Sequence, residues 1–320
     1  MSINTKMTYL ATDNGIYVLE SANDRWYLVG HSLENRYITS ITDADGVLFA
    51  GTRTGIAVSL DLGCSWEERN TGLVHPHIKS LHADRNNQVF AGTEPAAIFR
   101  SINLGQTWKR DIEVEMMRDQ FGWSLPYSDN AGCIRDFSLD GKRIFAAVEQ
   151  GGILFKDKPD EHWYLVEGST GYKEIKENGV HADVHSLTVS PKSEKIIYAC
   201  TGGGLYRSAD SGNRWDHLYP CYCRAAWIDP INPQHVIFGP ADSVDKNGRI
   251  ETSHNLVQWT ILDKNLDTPW PNTMVEKFVA AESDLWALLS DGRVFQASHG
   301  DLEWHQLFSD IESIRDIGFI

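Results

Sequence analysis

The chain has 320 residues, with 44 acidic against 29 basic side chains, a formal net charge of −15 and a pI near 5.2. No Lys/Arg-rich run occurs, so nucleic acid and anionic membrane surfaces, which both require clustered positive charge, are excluded as expected partners. No apolar stretch reaches the length needed to span a bilayer.

The first residues, Met1-Ser-Ile-Asn-Thr-Lys-Met7, carry one Lys and no apolar leader, so a cytoplasmic location is expected. Strand begins almost at once at Met7-Thr-Tyr-Leu-Ala-Thr12. From there one order of elements recurs. A short apolar strand opens each copy (Ile38–Ile41, Ile78–Leu81, Val184–Leu187), and a second ends in small residues (Val47–Thr52, Val89–Thr93, Ile196–Thr201). A third follows a Gly or small-residue turn (Gly55-Ile56, Ala97–Phe99, Gly152–Phe155, Gly204–Tyr206, Gly292–Phe295). These β-branched and aromatic runs, bounded by turn residues, read as strands. Gly202-Gly-Gly204 lies between two of them, so it reads as a turn rather than a phosphate cradle.

Each copy then closes on a polar turn and a Trp. The fullest examples are Ser59-Leu-Asp-Leu-Gly-Cys-Ser-Trp66, Ser101-Ile-Asn-Leu-Gly-Gln-Thr-Trp108 and Ser208-Ala-Asp-Ser-Gly-Asn-Arg-Trp215. Weaker copies end in Trp26, Trp163, Trp259 and Trp304, so seven of the eleven Trp residues hold one repeat position, spaced 40, 42, 55, 52, 44 and 45 residues apart. Periods of this length with four short strands each predict an all-β, seven-bladed β-propeller as one domain over residues 1–320. The chain ends on an expected first strand, Ile311–Ile314, and begins in a second strand, so N- and C-terminal strands are predicted to complete one blade.

The turn sequence Ser/Thr-x-Asp-x-Gly-x-Ser/Thr-Trp resembles the Asp-box of the bacterial neuraminidase repeat. Ser59 to Trp66 matches it fully, while Asn103 replaces the Asp and Arg214 the Thr in the other two copies. The chain thus looks like the small seven-bladed Asp-box propellers, among them sialidase-like and xyloglucanase-like domains and the photosystem II assembly factor, in architecture. The resemblance implies that Asp61, Asn103 and Asp210 are structural and that ligands bind at the opposite face. Sialidase chemistry itself is not expected, because the Arg-Ile-Pro motif is missing.

Three long insertions interrupt the repeat: Glu115 to Gly132, Gly168 to Asp183, and Asp263 to Thr273. They are expected to be ordered loops walling a site, with Trp123, Tyr127, Tyr172 and Trp270 as ligand-binding aromatics. Imidazole and thiol side chains gather where blades open, in Val74-His-Pro-His77, His181-Ala-Asp-Val-His185 and Cys221-Tyr-Cys223. Such ligands drawn from separate loops point to a divalent transition metal (Zn, Cu, Mn or Fe) on His77, His181, His185 and Cys223. The five Cys residues form an odd set without disulfide spacing, which suits a reducing compartment.

One further position stands out. Otherwise apolar first strands carry Thr39, Lys79, Arg135, His185, Arg224, Glu276 and Glu312 in the same phase. Lys79, Arg135 and Arg224 suit recognition of an anion, with Glu276 facing them, His185 as acid/base or metal ligand, and Glu94 and Glu149 as further acid/base candidates. The expected function is a small-ligand enzyme of hydrolase or lyase type with His185, Arg135, Arg224, Lys79 and Glu276 as catalytic residues, acting on a small anionic or aromatic ligand. The alternative is a noncatalytic scaffold that grips a protein partner through its aromatic loops.

Overall fold

A computed structural model describes residues 6–22, 25–139, 142–157, 162–172, 175–281 and 283–320. The first five residues, read above as carrying no leader, lie outside the described ones. Twenty-eight strands form seven four-stranded antiparallel sheets, and the fold is a seven-bladed β-propeller. The chain divides into two compact units, Met1–Ile112 with Ile311–Ile320, and Glu113–Asp310.

The first unit holds blades 1 to 3. Blade 1 runs in the order Ile314–Phe319, Lys6–Thr12, Gly15–Ala22, Arg25–Ser32, so the two chain ends pair as expected, with Leu10 opposite Ile317. The closing strand nevertheless starts at Ile314 rather than Ile311. Ser313 sits at φ 57°, a left-handed conformation that cannot continue a ladder, and it delays the strand until Ile314 and Ile317 can be buried. Blades 2 and 3 open with Ile38–Ala44 and Ile78–Ala83.

In the polar turns, side chains replace the ladder. Ser59 Oγ donates to Asp61 Oδ1 at 2.8 Å and accepts from Gly63 N, while Asp61 Oδ1 accepts from Ser65 N at 2.8 Å. The same bonds recur around Ser101/Asn103 and Ser208/Asp210. Asn103 keeps the turn because its Oδ1 accepts as Asp61 does, while its Nδ2 donates to Thr107 Oγ1 at 2.9 Å. Gly63, Gly105 and Gly212 adopt φ of 79° to 92°, which suits the Gly that these three turns share. The Trp that follows is buried in four copies (Trp108, Trp163, Trp215, Trp304). Each such ring removes about 150–250 Å² from water, worth roughly 4–6 kcal/mol at about 25 cal/mol per Å² before entropy is subtracted.

The second unit holds blades 4 to 7, opening with Cys133–Leu139, Val184–Val189, Tyr222–Ile228 and Val275–Ala281. Its first insertion is not a loop throughout. Ile112–Phe121 is a ten-residue helix with Glu113 and Glu115 in its first turn and Arg118 in its last. Gly122 ends it at φ 64°, and Trp123 N donates back to Arg118 O at 3.1 Å, a glycine-terminated helix stop. The strand period masked this helix in the sequence.

One irregularity recurs in every blade. The first strand pairs in register with the second except at one extra residue: between Ile38 and Ser40, Ile78 and Ser80, Ile134 and Asp136, Val184 and Ser186, Cys223 and Ala226, Val275 and Lys277, and Ile314 and Asp316. These are β-bulges, which bend a strand and re-aim a side chain. The bulged residues are Thr39, Lys79, Arg135, His185, Arg224 (with Ala225), Glu276 and Arg315. Six of the seven polar positions singled out above are therefore bulges. The seventh is Arg315 rather than Glu312, a consequence of the later start of the last strand.

Candidate functional site

The bulges of the second unit bring their side chains together. Arg135 Nη2 donates to Glu276 Oε1 at 2.9 Å, and Arg224 Nη1 donates to Glu276 Oε2 at 2.6 Å. One carboxylate thus holds two guanidiniums, with a further Arg224 contact to Asp245 at 3.9 Å. Arg135 also donates to Glu149 Oε2 at 3.4 Å, an atom that accepts a hydrogen bond from the Tyr127 hydroxyl at 2.8 Å. Burial is the largest influence and opposes both guanidinium charges, but Glu276 together with Glu149, Cys133 and Tyr127 around Arg135, and with Tyr222 around Arg224, outweighs it, and both pKa values lie above the ordinary arginine value. Burial, and then the Glu149 charge, pushes the Tyr127 phenol up.

Beside this network stands His185, 4% exposed, with neither ring nitrogen hydrogen-bonded. Its Nε2 lies 3.5 Å from Asp183 Oδ2, and its ring packs on Tyr222 with centroids 5.0 Å apart. Burial, then Arg135 and Arg224, holds its pKa well below the usual histidine value, so the ring is neutral. Asp183 is pushed up to about 6, by burial first and Glu149 second, against the pull of both arginines. One ligand atom each from Glu149, Asp183 and His185 falls within 4.8 Å of the others.

Local structure explains these placements. Glu149 ends the second strand of blade 4, Ile144–Glu149, and Asp183 immediately precedes the first strand of blade 5. Gly202 accepts the approach of Asp183, since a Cβ there would lie 2.3 Å from Asp183 Oδ2, and Gly202 N donates to Asp183 O at 2.9 Å. The turn glycines Gly202 and Gly203 thus clear space for Asp183 and His181.

The remaining expected site residues are not members of this triad. His181 accepts from Asp183 N through Nδ1 at 3.1 Å, and its pKa is lowered by burial and then by His217. Cys223 is buried against Cys200 and Cys221, its Sγ 3.9 Å from Thr201 O, and burial followed by those two thiols pushes its pKa well up. In the first unit, Lys79 Nζ pairs with Glu94 Oε2 at 3.2 Å, and His77 Nδ1 lies 4.0 Å from the same oxygen.

The insertion aromatics divide into two kinds. Trp123 and Trp270, expected as ligand-binding aromatics, are both only 4% exposed. Trp123 Nε1 donates to Gly171 O at 2.8 Å, tying the first insertion to the second, and Trp270 sits in the core of blades 6 and 7 and stacks near Phe295. Both rings thus occupy desolvated pockets. Tyr127 and Tyr172 are exposed. Two residues of the site, Asp183 and Tyr222, were not singled out from the sequence. The available signal was Asp183 two residues before the bulged His185, and Tyr222 two before Arg224.

No protein-family profile matches the chain, and no curated protein matches it in sequence. Solved structures do. YCF48 bound to D1 peptide superposes with a TM-score of 0.63 at 13% identity over 92% of this chain and 89% of that one. YCF48 from Cyanidioschyzon merolae gives 0.58 at 15% over 93% and 97%. The GH74 xyloglucanase from Xanthomonas campestris gives 0.61 at 16% over 86% of this chain but 46% of its own, so the chain spans less than half of that enzyme. These likenesses place the chain among the seven-bladed β-propellers. At such identities they carry the fold alone, and the site has to speak for the function.

Proposed function

We propose that the chain is a small-ligand enzyme of hydrolase or lyase type whose reactive groups are Glu149, Asp183 and His185, with the Arg135–Glu276–Arg224 network beside them. The observation that carries this reading is His185: a buried side chain with two unpartnered ring nitrogens, facing two carboxylates. A buried polar group without a partner is costly and rare, and such groups concentrate where chemistry is done. The arginines hold an anionic portion of the ligand, and exposed Tyr127 and Tyr172 contribute aromatic surface. Among the described residues no helix is long and apolar enough to cross a membrane. The five cysteines, all free thiols, support a reducing and hence cytoplasmic setting.

The test is a hydrolysis and elimination screen over small carboxylate- and phosphate-bearing substrates, run beside His185→Ala. Turnover by the wild type that is lost in a folded variant is the expected result. No turnover across the panel counts against it.

The likeness to YCF48, solved with a bound peptide, favours a second reading, an interaction scaffold. On that reading an extended peptide binds the wild type and His185→Ala equally, while Tyr127→Ala and Tyr172→Ala weaken it.

A further inference from the structure

The unpartnered nitrogens of His185 have a specific explanation. At 3.5 Å, its Nε2 and Asp183 Oδ2 are too far apart for a good hydrogen bond. That separation instead matches the edge of a tetrahedron, about 3.4 Å when metal–ligand bonds are about 2.1 Å. Glu149 supplies a third ligand atom within 4.8 Å of both. We propose that Glu149, Asp183 and His185 form a divalent transition-metal site of the zinc class, with a fourth position open to water or ligand.

The surroundings fit such a site. A ligating carboxylate needs outer partners to fix its orientation, and Tyr127 and Arg135 both hold Glu149 through Oε2. One imidazole and two carboxylates, with no thiolate, suit zinc, manganese or ferrous iron over cuprous copper. Cys223, expected as a ligand, is instead packed with Cys200 and Cys221.

Charge gives an independent reason. Arg135 and Arg224 bring two positive charges, and Glu149, Asp183, Glu276 and Asp245 bring four negative ones. With the carboxylates ionised, the cluster is net negative and repels an anion. A divalent ion cancels that excess, and the site then no longer repels the anionic ligand assigned to it above. The ion also polarises a bound water for hydrolysis or a bound oxygen for elimination.

This inference rests on reading the cluster as a working site, but metal binding is measured without turnover, so either claim can fail alone. The experiment strips the full chain with chelator and titrates it with Zn²⁺ by calorimetry, and with Co²⁺ by absorption. One equivalent of zinc is expected, with a raised unfolding temperature as linkage requires. The cobalt spectrum should show tetrahedral d–d bands without a thiolate charge-transfer band. His185→Ala and Asp183→Asn should each lower affinity at least tenfold, and Glu149→Gln provides a third variant if one misfolds. His181→Ala and His77→Ala should bind as the wild type does. Absence of zinc binding by the wild type overturns the proposal. So does zinc that survives His185→Ala but is lost in Cys223→Ser, which would place the ion on the thiols.

Discussion

The carboxylate of Asp136 accepts a hydrogen bond from the backbone N–H of Leu187 at 3.0 Å, one residue after the bulged Arg135. The first unit repeats the device: Ser40 Oγ accepts from Leu81 N after bulged Thr39, and Asp316 Oδ2 accepts from Ile41 N after bulged Arg315. The bulge therefore does two things at once. It turns residue i out of the ladder, and it sets residue i+1 to clamp the next blade. Sites and blade contacts are built from the same local irregularity.

Asp136→Ala should lower stability by about 1–3 kcal/mol, because the Leu187 N–H is left without its acceptor. Urea unfolding checks this. An unchanged midpoint would show that the clamp carries no stability.

Glu276→Ala leaves two guanidiniums facing each other without their shared carboxylate. A loss of about 3 kcal/mol or more is expected, since breaking a largely buried pair costs more than the pair contributes. Arg224→Met in the same background should recover part of it, and a double-mutant cycle measures the coupling.

The turn aspartates make acid stability predictable in sign. Asp61 is held below the usual carboxylate range by Ser65, first through its hydroxyl and then its N–H, and by Ser59. Burial opposes the depression at Asp210, where the Arg214 N–H and Ser208 outweigh it. A depressed folded pKa gives stability that is present above the unfolded value, near ~3.9, and lost as pH falls through the folded one. Asp61→Asn with Asp210→Asn keeps the turn, as Asn103 does, but removes the titration. Its stability should fall less steeply than that of the wild type between pH 4 and pH 2 (about the range the reference pKa sets). Parallel acid limbs would refute the assignment.

Trp123→Ala should cost about 3–5 kcal/mol, as truncation of a buried ring does, whereas Tyr172→Ala, at an exposed ring, should change stability by about 0.5 kcal/mol or less. Thermal unfolding of the two variants separates a packing role from a surface role.

Much of the fold was legible because its signal is periodic. The Trp spacing and the turn sequence ending in Trp66, Trp108 and Trp215 fixed blade number and strand order, and the chain ends fixed which blade they close. The polar residues of the first strands were visible as exceptions to an apolar run, yet the reason for them was not. A bulge is a matter of register, which depends on the partner strand, and it moved the seventh position from Glu312 to Arg315. The helix at Ile112–Phe121 carried local signals in Asp111 before it and Gly122 after it, but they lay inside an all-β repeat. The site was half legible. Arg135, His185, Arg224 and Glu276 stood out by phase, while Asp183 looked like one more loop carboxylate until Gly202 and His185 were placed around it. Trp123 and Trp270 were misread because burial inside an insertion leaves no periodic trace.

The central claim is that the His185 cluster is built for chemistry rather than for stability. The most direct measurement compares the unfolding free energy of chelator-treated wild type with that of His185→Leu. Ring nitrogens buried without hydrogen-bond partners cost desolvation that a Leu of similar bulk does not, so the variant should be as stable as the wild type or more so, by about 1 kcal/mol. A loss of about 2 kcal/mol or more would contradict the account, because it would make His185 a structural residue.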